Sequence, residues 1–318
     1  MNKNRSPFAH CFFAVLVIAT FGFVSSCGVM PTNTVQHIYV TSANSVVVFP
    51  LTATGNVAPA QSIIGANAAF SDAHRSTIDS TGKIYVTDAE GNRIDIFAAG
   101  ATGNVAPVST ISGAATLLSF PSGIALDSSG KIYVTNGDSA SITIYAAGAT
   151  GNAAPIATIT GAATGLSFPN GLALFSGNIY VANEEAPSIT VYPVTATGNV
   201  APTITIAGAA TALGEAHAVA LDSTGKIYVT NGAGNTVVVF AANATGNATP
   251  TATIGGAATT INHPNGIAID SAGKIYVGNA NGPSVVVFAA GATGNVAPLV
   301  TISGSAVVFS ELHGVDIH

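Results

Sequence analysis

The chain has 318 residues, a formal net charge of −6 at pH 7, and only 7% Asp, Glu, Lys and Arg. It has no Trp and no basic stripe, so we expect no nucleic-acid partner. Its two cysteines are Cys11 and Cys27. Because Cys11 lies in a segment expected to be removed, we expect no disulfide in the mature protein.

The N-terminal segment has the organisation of an export signal. Lys3 and Arg5 precede an apolar run over residues 12–24, which is too short to span a bilayer comfortably. The run leads into Val24-Ser-Ser-Cys27, which resembles a bacterial lipobox. That resemblance implies removal of a signal peptide of residues 1–26 and acylation of Cys27. An ordinary secretory signal that ends near a cysteine is the alternative interpretation.

Residues 27–35 would then be a lipidated cysteine and a short tether in front of a domain of residues 36–318. The lipid anchor would be the only contact with the membrane. Gly28 stands where lipoproteins retained at the inner membrane commonly have Asp. We therefore expect a lipid-anchored protein of the cell envelope, at the outer membrane or the cell surface.

From residue 36 onwards one block returns six times. Ile-Tyr-Val starts at residues 38, 84, 132, 179, 227 and 275, and Thr-Gly-Asn follows each copy. Most spacings are 48 residues. A period of this length, built of short apolar strands and Gly/Asn turns, predicts an all-β fold in which each repeat is one four-stranded antiparallel blade of a β-propeller.

The copy over residues 121–161 illustrates the predicted blade. Its four strands are residues 123–127, 131–136, 141–145 and 155–159, of which the last two alternate polar and apolar residues. The second strand is rich in β-branched and aromatic residues, which suit a pleated sheet. No helical pattern of useful length interrupts these blades.

The chain ends predict how the ring closes. Residues 35–41 read as a second strand with no first strand before them, and residues 312–318 match the first strand of the other copies. The C-terminal strand should therefore complete the first blade and leave no open seam. The prediction is a six-bladed propeller that is a monomer.

The blades resemble the NHL repeat and, more loosely, the YVTN propeller repeat. The stretch most similar to NHL is residues 82–97, and residues 132–136 and 227–231 carry the Tyr-Val-Thr-Asn letters of the other family. The resemblance implies the propeller fold over residues 36–318. It implies little about activity, since such propellers include binding modules, lyases and hydrolases.

Some repeated residues are interpreted as structural. Asp79, Asp127, Asp222 and Asp270 each precede a Ser-x-Gly-Lys turn, in which Asp accepts backbone N–H groups. The repeated Tyr of the second strand should pack between blades with its hydroxyl bonded near the surface. Arg75, Arg93 and Glu184 depart from the repeat. They read as solvated loop charges, with an Arg/Glu contact to a partner as the alternative.

The residue that leads into each inner strand is a candidate ligand contact, because loops on this side of a propeller surround the central channel. The six residues are His74, Ser122, Asn170, His217, Asn265 and His313. A polar ring that contacts a ligand and a purely structural ring are both consistent with this pattern.

Three blades read acid-x-His, which suggests a metal site. His74, His217 and His313 follow Asp72, Glu215 and Glu311 by two residues, so each acid could stand beside its imidazole. Three converging imidazoles could bind Zn²⁺ or Ca²⁺ and leave a position for water. The acids would then orient a ligand or act as general base.

Three functions remain open from the sequence. The first is a non-catalytic binding module for a glycan, peptide or protein. The second is a metal-dependent lyase or hydrolase with its site at the channel mouth. The third is a structural envelope protein, consistent with how little the blades diverge.

Overall fold

The computed structural model describes residues 36–318, and the predictions for residues 1–35, including the anchor at Cys27, lie outside them. The described part consists of six four-stranded antiparallel sheets, as the sequence predicts. Its helices are four 3₁₀ turns of three residues, Ala114–Thr116, Ala162–Thr164, Ala209–Thr211 and Ala257–Thr259. Within residues 36–318 we find no helix with the length and apolarity needed to span a membrane.

The strands are numbered along the chain. Strands β1 to β3 are His37–Ser42, Ser45–Pro50 and Gln61–Ile64. Strands β4 to β7 are Ala73–Ile78, Ile84–Asp88, Arg93–Phe97 and Ser109–Ser112. Strands β8 to β11 are Pro121–Leu126, Ile132–Asn136, Ser141–Tyr145 and Ala157–Thr160.

The second half repeats this order. Strands β12 to β15 are Pro169–Phe175, Asn178–Asn183, Ser188–Pro193 and Ile204–Ala207. Strands β16 to β19 are Ala216–Leu221, Ile227–Asn231, Thr236–Phe240 and Ala252–Gly255. Strands β20 to β23 are Pro264–Ile269, Ile275–Asn279, Ser284–Phe288 and Val300–Ile302, and β24 is Leu312–Ile317.

The ring closes through the C-terminal strand. The first sheet has the order β24-β1-β2-β3, in which Val40 pairs with Val315. The inner strands β4, β8, β12, β16, β20 and β24 each contact the inner strands of both neighbouring blades. They line a central channel, and blades 1 to 6 begin with β24, β4, β8, β12, β16 and β20.

The hydrophobic core is divided among the six interfaces between blades. Between blades 2 and 3, for example, Tyr85 and Ile111 pack with Ile124, Val134 and Tyr145. The aromatic and β-branched residues of each blade thus fill the gap to the next, which is why every blade needs two neighbours.

The Thr-Gly-Asn motif of each blade forms hydrogen bonds to the preceding blade. Gly103 of blade 2 donates its N–H to Ser62 O of blade 1 at 2.6 Å, and the Asn104 side chain accepts Asn67 N–H at 2.7 Å. A Cβ on Gly65 would lie 2.7 Å from Asn104 Oδ1, so glycine is needed there. Gly55 makes the same bridge to Ile302, which joins the last blade to the first.

Candidate functional site

The six candidate residues His74, Ser122, Asn170, His217, Asn265 and His313 form one ring at the channel mouth, which we call the mouth ring. Each lies where the pairing of its inner strand shifts register. Such a bulge re-aims a side chain that would otherwise follow the pleat. All six residues are buried. The face that bears this mouth, the mouth face, is formed by the loops before the inner strands and after β1, β5, β9, β13, β17 and β21.

Hydrogen bonds connect most of the mouth ring. His74 Nδ1 lies 2.9 Å from Ser122 Oγ, which donates to Asn170 Oδ1 at 2.7 Å. Asn170 Nδ2 donates in turn to Glu184 Oε2 at 2.8 Å. Between the neighbouring blades 6 and 1, Asn265 Nδ2 lies 3.3 Å from His313 Nδ1.

Arg75 occupies the centre of the channel just behind the mouth ring. Its guanidinium donates to the carbonyl oxygens of His313, His217 and Asn265 at 2.9, 3.1 and 3.1 Å, and to Asn170 Oδ1 at 3.0 Å. Burial lowers its pKa to about 10, which still leaves it charged at neutral pH. The interpretation of Arg75 as a solvated loop charge is therefore wrong.

The same contacts determine the tautomers of two histidines. Ser122 already donates its hydroxyl proton to Asn170, so it must accept from His74 Nδ1–H. His217 Nδ1 lies 3.3 Å from the carbonyl of Pro264, which can only accept. In the neutral state, His74 and His217 therefore each carry a bare lone pair on Nε2.

His313 has the opposite tautomer. Asn265 Oδ1 accepts from Arg75, so the amide group facing His313 Nδ1 is the NH₂ donor. The proton of neutral His313 is therefore on Nε2, which is buried and lies 3.3 Å from Asp72 Oδ1.

Asp72, His74 and His313 form the first group of titratable side chains at the mouth. Asp72 lies 3.6 Å from His74 Nε2 and 3.3 Å from His313 Nε2, and the two imidazoles stack with centroids 4.3 Å apart. Burial lowers the pKa of His74 to about 3, with a further decrease from His313. Burial alone would raise the pKa of Asp72, but the imidazoles of His313 and His74 make the net shift downward.

Glu184, Glu215, His217 and His263 form the second group. His217 Nε2 lies 3.7 Å from Glu184 Oε1 and 3.9 Å from Glu215 Oε2, and His263 Nδ1 lies 3.9 Å from the same Glu215 oxygen. Glu215 Oε2 is buried and has no hydrogen-bond partner. Burial lowers the pKa of His217 to about 4, so its imidazole is neutral at pH 7.

The structure divides the three histidines proposed as joint metal ligands. His74 and His313 share Asp72, whereas His217 lies with Glu215 and His263. Asp72 and Glu215 stand beside their own blade's histidine, as the acid-x-His pattern suggests. Glu311 is exposed, and among residues 36–318 the acid nearest His313 comes from the next blade, Asp72.

Sequence reasoning did not include Glu184 and His263 among the candidate residues. Glu184 is the one acid at a position where the other blades have Ala or Gly, and His263 stands where two blades have Phe. These departures from the repeat were visible, but their convergence on His217 depends on how blades 4, 5 and 6 pack around the channel.

The repeated aspartates are turn formers, as predicted. Asp127 Oδ1 accepts the N–H groups of Ser129 and Lys131 at 2.8 and 3.0 Å, and Oδ2 accepts the Tyr133 hydroxyl at 3.2 Å. Asp79, Asp222 and Asp270 make the same bonds. They lie on the face opposite the mouth and are no part of the site.

Arg93 is also not a solvated charge. Its guanidinium lies 2.7 Å from Asp88 Oδ2 and 2.9 Å from Asp95 Oδ2, and both carboxylates are almost fully buried. The charge of Arg93 is therefore neutralised by two acids of its own blade.

On the far side of Arg75 the channel widens into a cavity of about 260 Å³. Its wall is mostly apolar, with Ile124, Leu172 and Ile267 among its residues, and Asp316 is its acidic member. Burial raises the pKa of Asp316 to about 7. The equivalent position is Ala in four of the other five blades.

Solved structures with the same architecture match almost the whole chain. A chain of the nidogen/laminin complex superposes with a TM-score of 0.65 at 15% identity, over 89% of this chain and 98% of that one. This chain is a β-propeller protein. The likeness shows the fold alone, because the identity is low.

Two further structures support the same conclusion. A protein of unknown function from Bacteroides caccae has a TM-score of 0.64 at 9% identity, over 89% of this propeller and 98% of that chain. A functionally unknown protein from Desulfotomaculum acetoxidans DSM 771 has a TM-score of 0.54 at 15% identity, over 80% and 74%.

A family model described as "Lactonase, 7-bladed beta-propeller" matches residues 169–309 of this propeller. That range covers blades 4 to 6, less than half of the chain, and the described ring has six blades rather than seven. None of the curated proteins matches the chain. These findings support a propeller family, and the NHL resemblance stays a prediction.

Proposed function

We propose that this propeller is a non-catalytic binding module whose mouth face binds a positively charged segment of a peptide or protein. The observation that carries the proposal is the unequal distribution of charge. Seven acidic side chains lie in the mouth-face loops: Asp72, Glu90, Asp138, Glu184, Glu185, Glu215 and Glu311. A face of one sign attracts and orients a partner of the opposite sign.

Basic side chains do not offset these acids. All four lysines of residues 36–318 follow the aspartate turns of the opposite face: Lys83, Lys131, Lys226 and Lys274. Of the two arginines in this range, Arg75 is inside the channel and Arg93 is paired with Asp88 and Asp95. The opposite face therefore has balanced charge, whereas the mouth face is acidic.

The residues of the mouth face also favour a cationic partner over the other classes of partner. A neutral glycan would depend on exposed aromatic rings, but Phe120 and Phe168 at the mouth are half-buried and pack on each other. A cationic segment uses the carboxylates that are present. A metal-dependent lyase or hydrolase would first need a bound metal ion.

The test is the binding of a labelled hexalysine peptide to residues 36–318, which contain all six sheets and their cores. The variant Glu90→Gln/Asp138→Asn/Glu185→Gln removes three exposed acids of the mouth face. We expect about tenfold weaker binding in fluorescence anisotropy, since three exposed charge pairs contribute about 0.5 kcal/mol each. The affinity of the unmodified propeller should also fall as salt is raised.

The matched control is Lys131→Gln/Lys226→Gln/Lys274→Gln on the opposite face. It makes the whole protein more acidic while the mouth face stays intact. We expect binding within about twofold of the unmodified protein. Tighter binding by this control, or equal binding by the variant that lacks the three exposed acids, would contradict the proposal.

We also propose that a lipid on Cys27 holds the module at the outer membrane or cell surface. Support comes from the lipobox-like Val24-Ser-Ser-Cys27 sequence and the apolar run before it. The Cys27→Ala variant should then move from the membrane fraction to the soluble fraction. Retention of this variant in the membrane fraction would count against the anchor.

A further inference from the structure

The second group of side chains at the mouth has the composition of a metal centre. Glu184, Glu215, His217 and His263 come from three successive blades, 4 to 6. Two imidazoles and two carboxylates are ligands that suit Zn²⁺ and related divalent transition-metal ions, whereas Ca²⁺ prefers oxygen ligands alone. The two negative charges would offset the charge of the ion.

The distances are close to those of a tetrahedral site. Ligand atoms about 2.1 Å from a tetrahedral Zn²⁺ lie about 3.4 Å from one another. The measured separations from His217 Nε2 are 3.7 Å to Glu184 and 3.9 Å to Glu215. The Glu215 oxygen is also 3.9 Å from His263 Nδ1. Glu215, His217 and His263 each offer a ligand atom within 4.8 Å of the other two, and Glu184 approaches the group at His217. Binding of an ion would draw these atoms closer together.

The protonation state of His217 favours a cation at this point. Its Nδ1–H is directed to Pro264 O, so its Nε2 lone pair faces two carboxylate oxygens without a proton between them. Glu215 Oε2 is buried and unpartnered. The Glu184 and Glu215 side chains are partly exposed, but their lone pairs converge on the buried His217 Nε2, and a cation among them would offset the repulsion.

The ligands are also oriented by neighbouring groups, as metal ligands usually are. Asn170 Nδ2 holds the second oxygen of Glu184 at 2.8 Å, and Pro264 O holds His217. Gly232 lies directly against the group, since a Cβ there would be 2.5 Å from His217 Cε1 and 2.9 Å from Glu215 Oε2. The loop thus leaves room for these two side chains and no more.

The first group is a natural comparison. Asp72, His74 and His313 are equally close, but Asn265 donates to His313 Nδ1 and leaves the proton of neutral His313 on Nε2, toward Asp72. A protonated nitrogen cannot ligate a metal, so this group lacks one of its two nitrogen ligands.

We infer that Glu184, Glu215, His217 and His263 form a divalent transition-metal site, and that Asp72, His74 and His313 do not. The inference does not depend on the proposed binding of a cationic peptide, because its readout is metal stoichiometry. An ion here would occupy one side of the mouth and supply a Lewis acid on the face that a ligand reaches.

The experiment is calorimetric titration of Zn²⁺ into residues 36–318 that were purified without a metal-affinity tag and treated with EDTA. We expect one Zn²⁺ per chain and no comparable binding of Ca²⁺. His217→Asn removes a ligand nitrogen and should weaken Zn²⁺ binding by about 100-fold or more. Gly232→Ala should weaken it by about tenfold or more, because disturbing the groups that support metal ligands typically costs about 10–100-fold. His263→Phe should also lower the affinity by about tenfold or more.

These substitutions are chosen to preserve the fold. At the position equivalent to His217, two other blades have Asn, namely Asn170 and Asn265. At the position equivalent to His263, two other blades have Phe, namely Phe120 and Phe168. The matched controls are His74→Asn and His313→Asn in the first group, which should leave Zn²⁺ binding unchanged. Thermal unfolding confirms that each variant is folded.

Two results would overturn the inference. One is the absence of stoichiometric Zn²⁺ binding to the folded, EDTA-treated protein. The other is loss of binding in the His74 or His313 variants while His217→Asn and His263→Phe still bind, which would assign the metal to the first group.

Discussion

Arg75 shows how a single residue can change the role of a repeated position. The equivalent residues in the other blades are Gly123, Gly171, Ala218, Gly266 and Gly314. Five small residues leave the channel axis open, and the one arginine fills it and donates to carbonyl groups of blades 1, 5 and 6. A planar guanidinium can satisfy several carbonyl oxygens at once, which an ammonium group cannot do in the same geometry.

We expect Arg75→Gly to lower the free energy of unfolding by about 2–3 kcal/mol, the value typical of hydrogen bonds that involve a charged group. The sheets should persist, because the cores lie between blades and not in the channel. Arg75→Lys should recover less than half of the loss. Urea unfolding measures both variants, and full recovery by lysine would show that charge alone matters at this position.

At the scale of one element, blade 2 replaces a neutral network with a charged one. In blade 3 Asn136 Nδ2 donates to Ser141 and Thr143, and blade 4 repeats this with Asn183, Ser188 and Thr190. Blade 2 has Asp88, Arg93 and Asp95 at these positions. The arginine compensates two buried carboxylates that would otherwise repel each other.

Arg93→Ser alone should lower the free energy of unfolding by about 3–5 kcal/mol, because it leaves two buried carboxylates without their cation. The triple variant Asp88→Asn/Arg93→Ser/Asp95→Thr restores the set found in blades 3 and 4. It should unfold within about 1 kcal/mol of the unmodified protein, since a neutral network can replace a buried ion pair. Equal losses in the single and triple variants would refute this account, and calorimetric unfolding distinguishes the two cases.

At the scale of the whole molecule, the pKa shifts of equivalent groups in several blades add together. Burial would raise the pKa of Asp79, Asp127 and Asp222. Hydrogen bonds from the turn lower it by a larger amount, so the net shift of the pKa is downward. Burial lowers the pKa of His74 and His217 to about 3 and 4. The ordinary values are about 3.9 for Asp and 6.5 for His.

The lowered pKa values of the histidines and of the aspartates both predict a loss of stability in acid. The unfolded chain takes up protons on the two histidines below about pH 6.5 while the folded protein does not, so stability should fall from about pH 6.5 to 4. The aspartates contribute fully above about pH 4, and their contribution is lost as the pH falls through their lower folded values. Burial raises the pKa of Asp316 to about 7, which acts in the opposite direction between about pH 4 and 7.

Urea unfolding of the metal-free protein between pH 8 and 3 measures this profile. His74→Asn/His217→Asn should flatten the decline between about pH 6.5 and 4, and Asp79→Asn/Asp127→Asn/Asp222→Asn should flatten the part below about pH 4. A profile that neither variant changes would show that other groups control acid stability.

The sequence by itself determined the number of blades, the strands within each blade and the closure by residues 312–318. These properties follow from local patterns, namely strand alternation and turn residues, that return six times. The period also identified the mouth ring, because equivalent positions in a closed ring must lie at equal height around one axis.

Only the tertiary structure decided which of these side chains meet. His263 and Glu184 approach His217, and Asp72 approaches His313, across blade boundaries. Arg75 reaches carbonyl groups on the opposite side of the channel. Such contacts depend on the bulges that aim each side chain and on the curvature of the ring. A repeat pattern predicts the order of residues around the axis. It does not predict the distances between side-chain atoms of different blades, and a difference of a few ångströms in these distances decides whether two groups are paired.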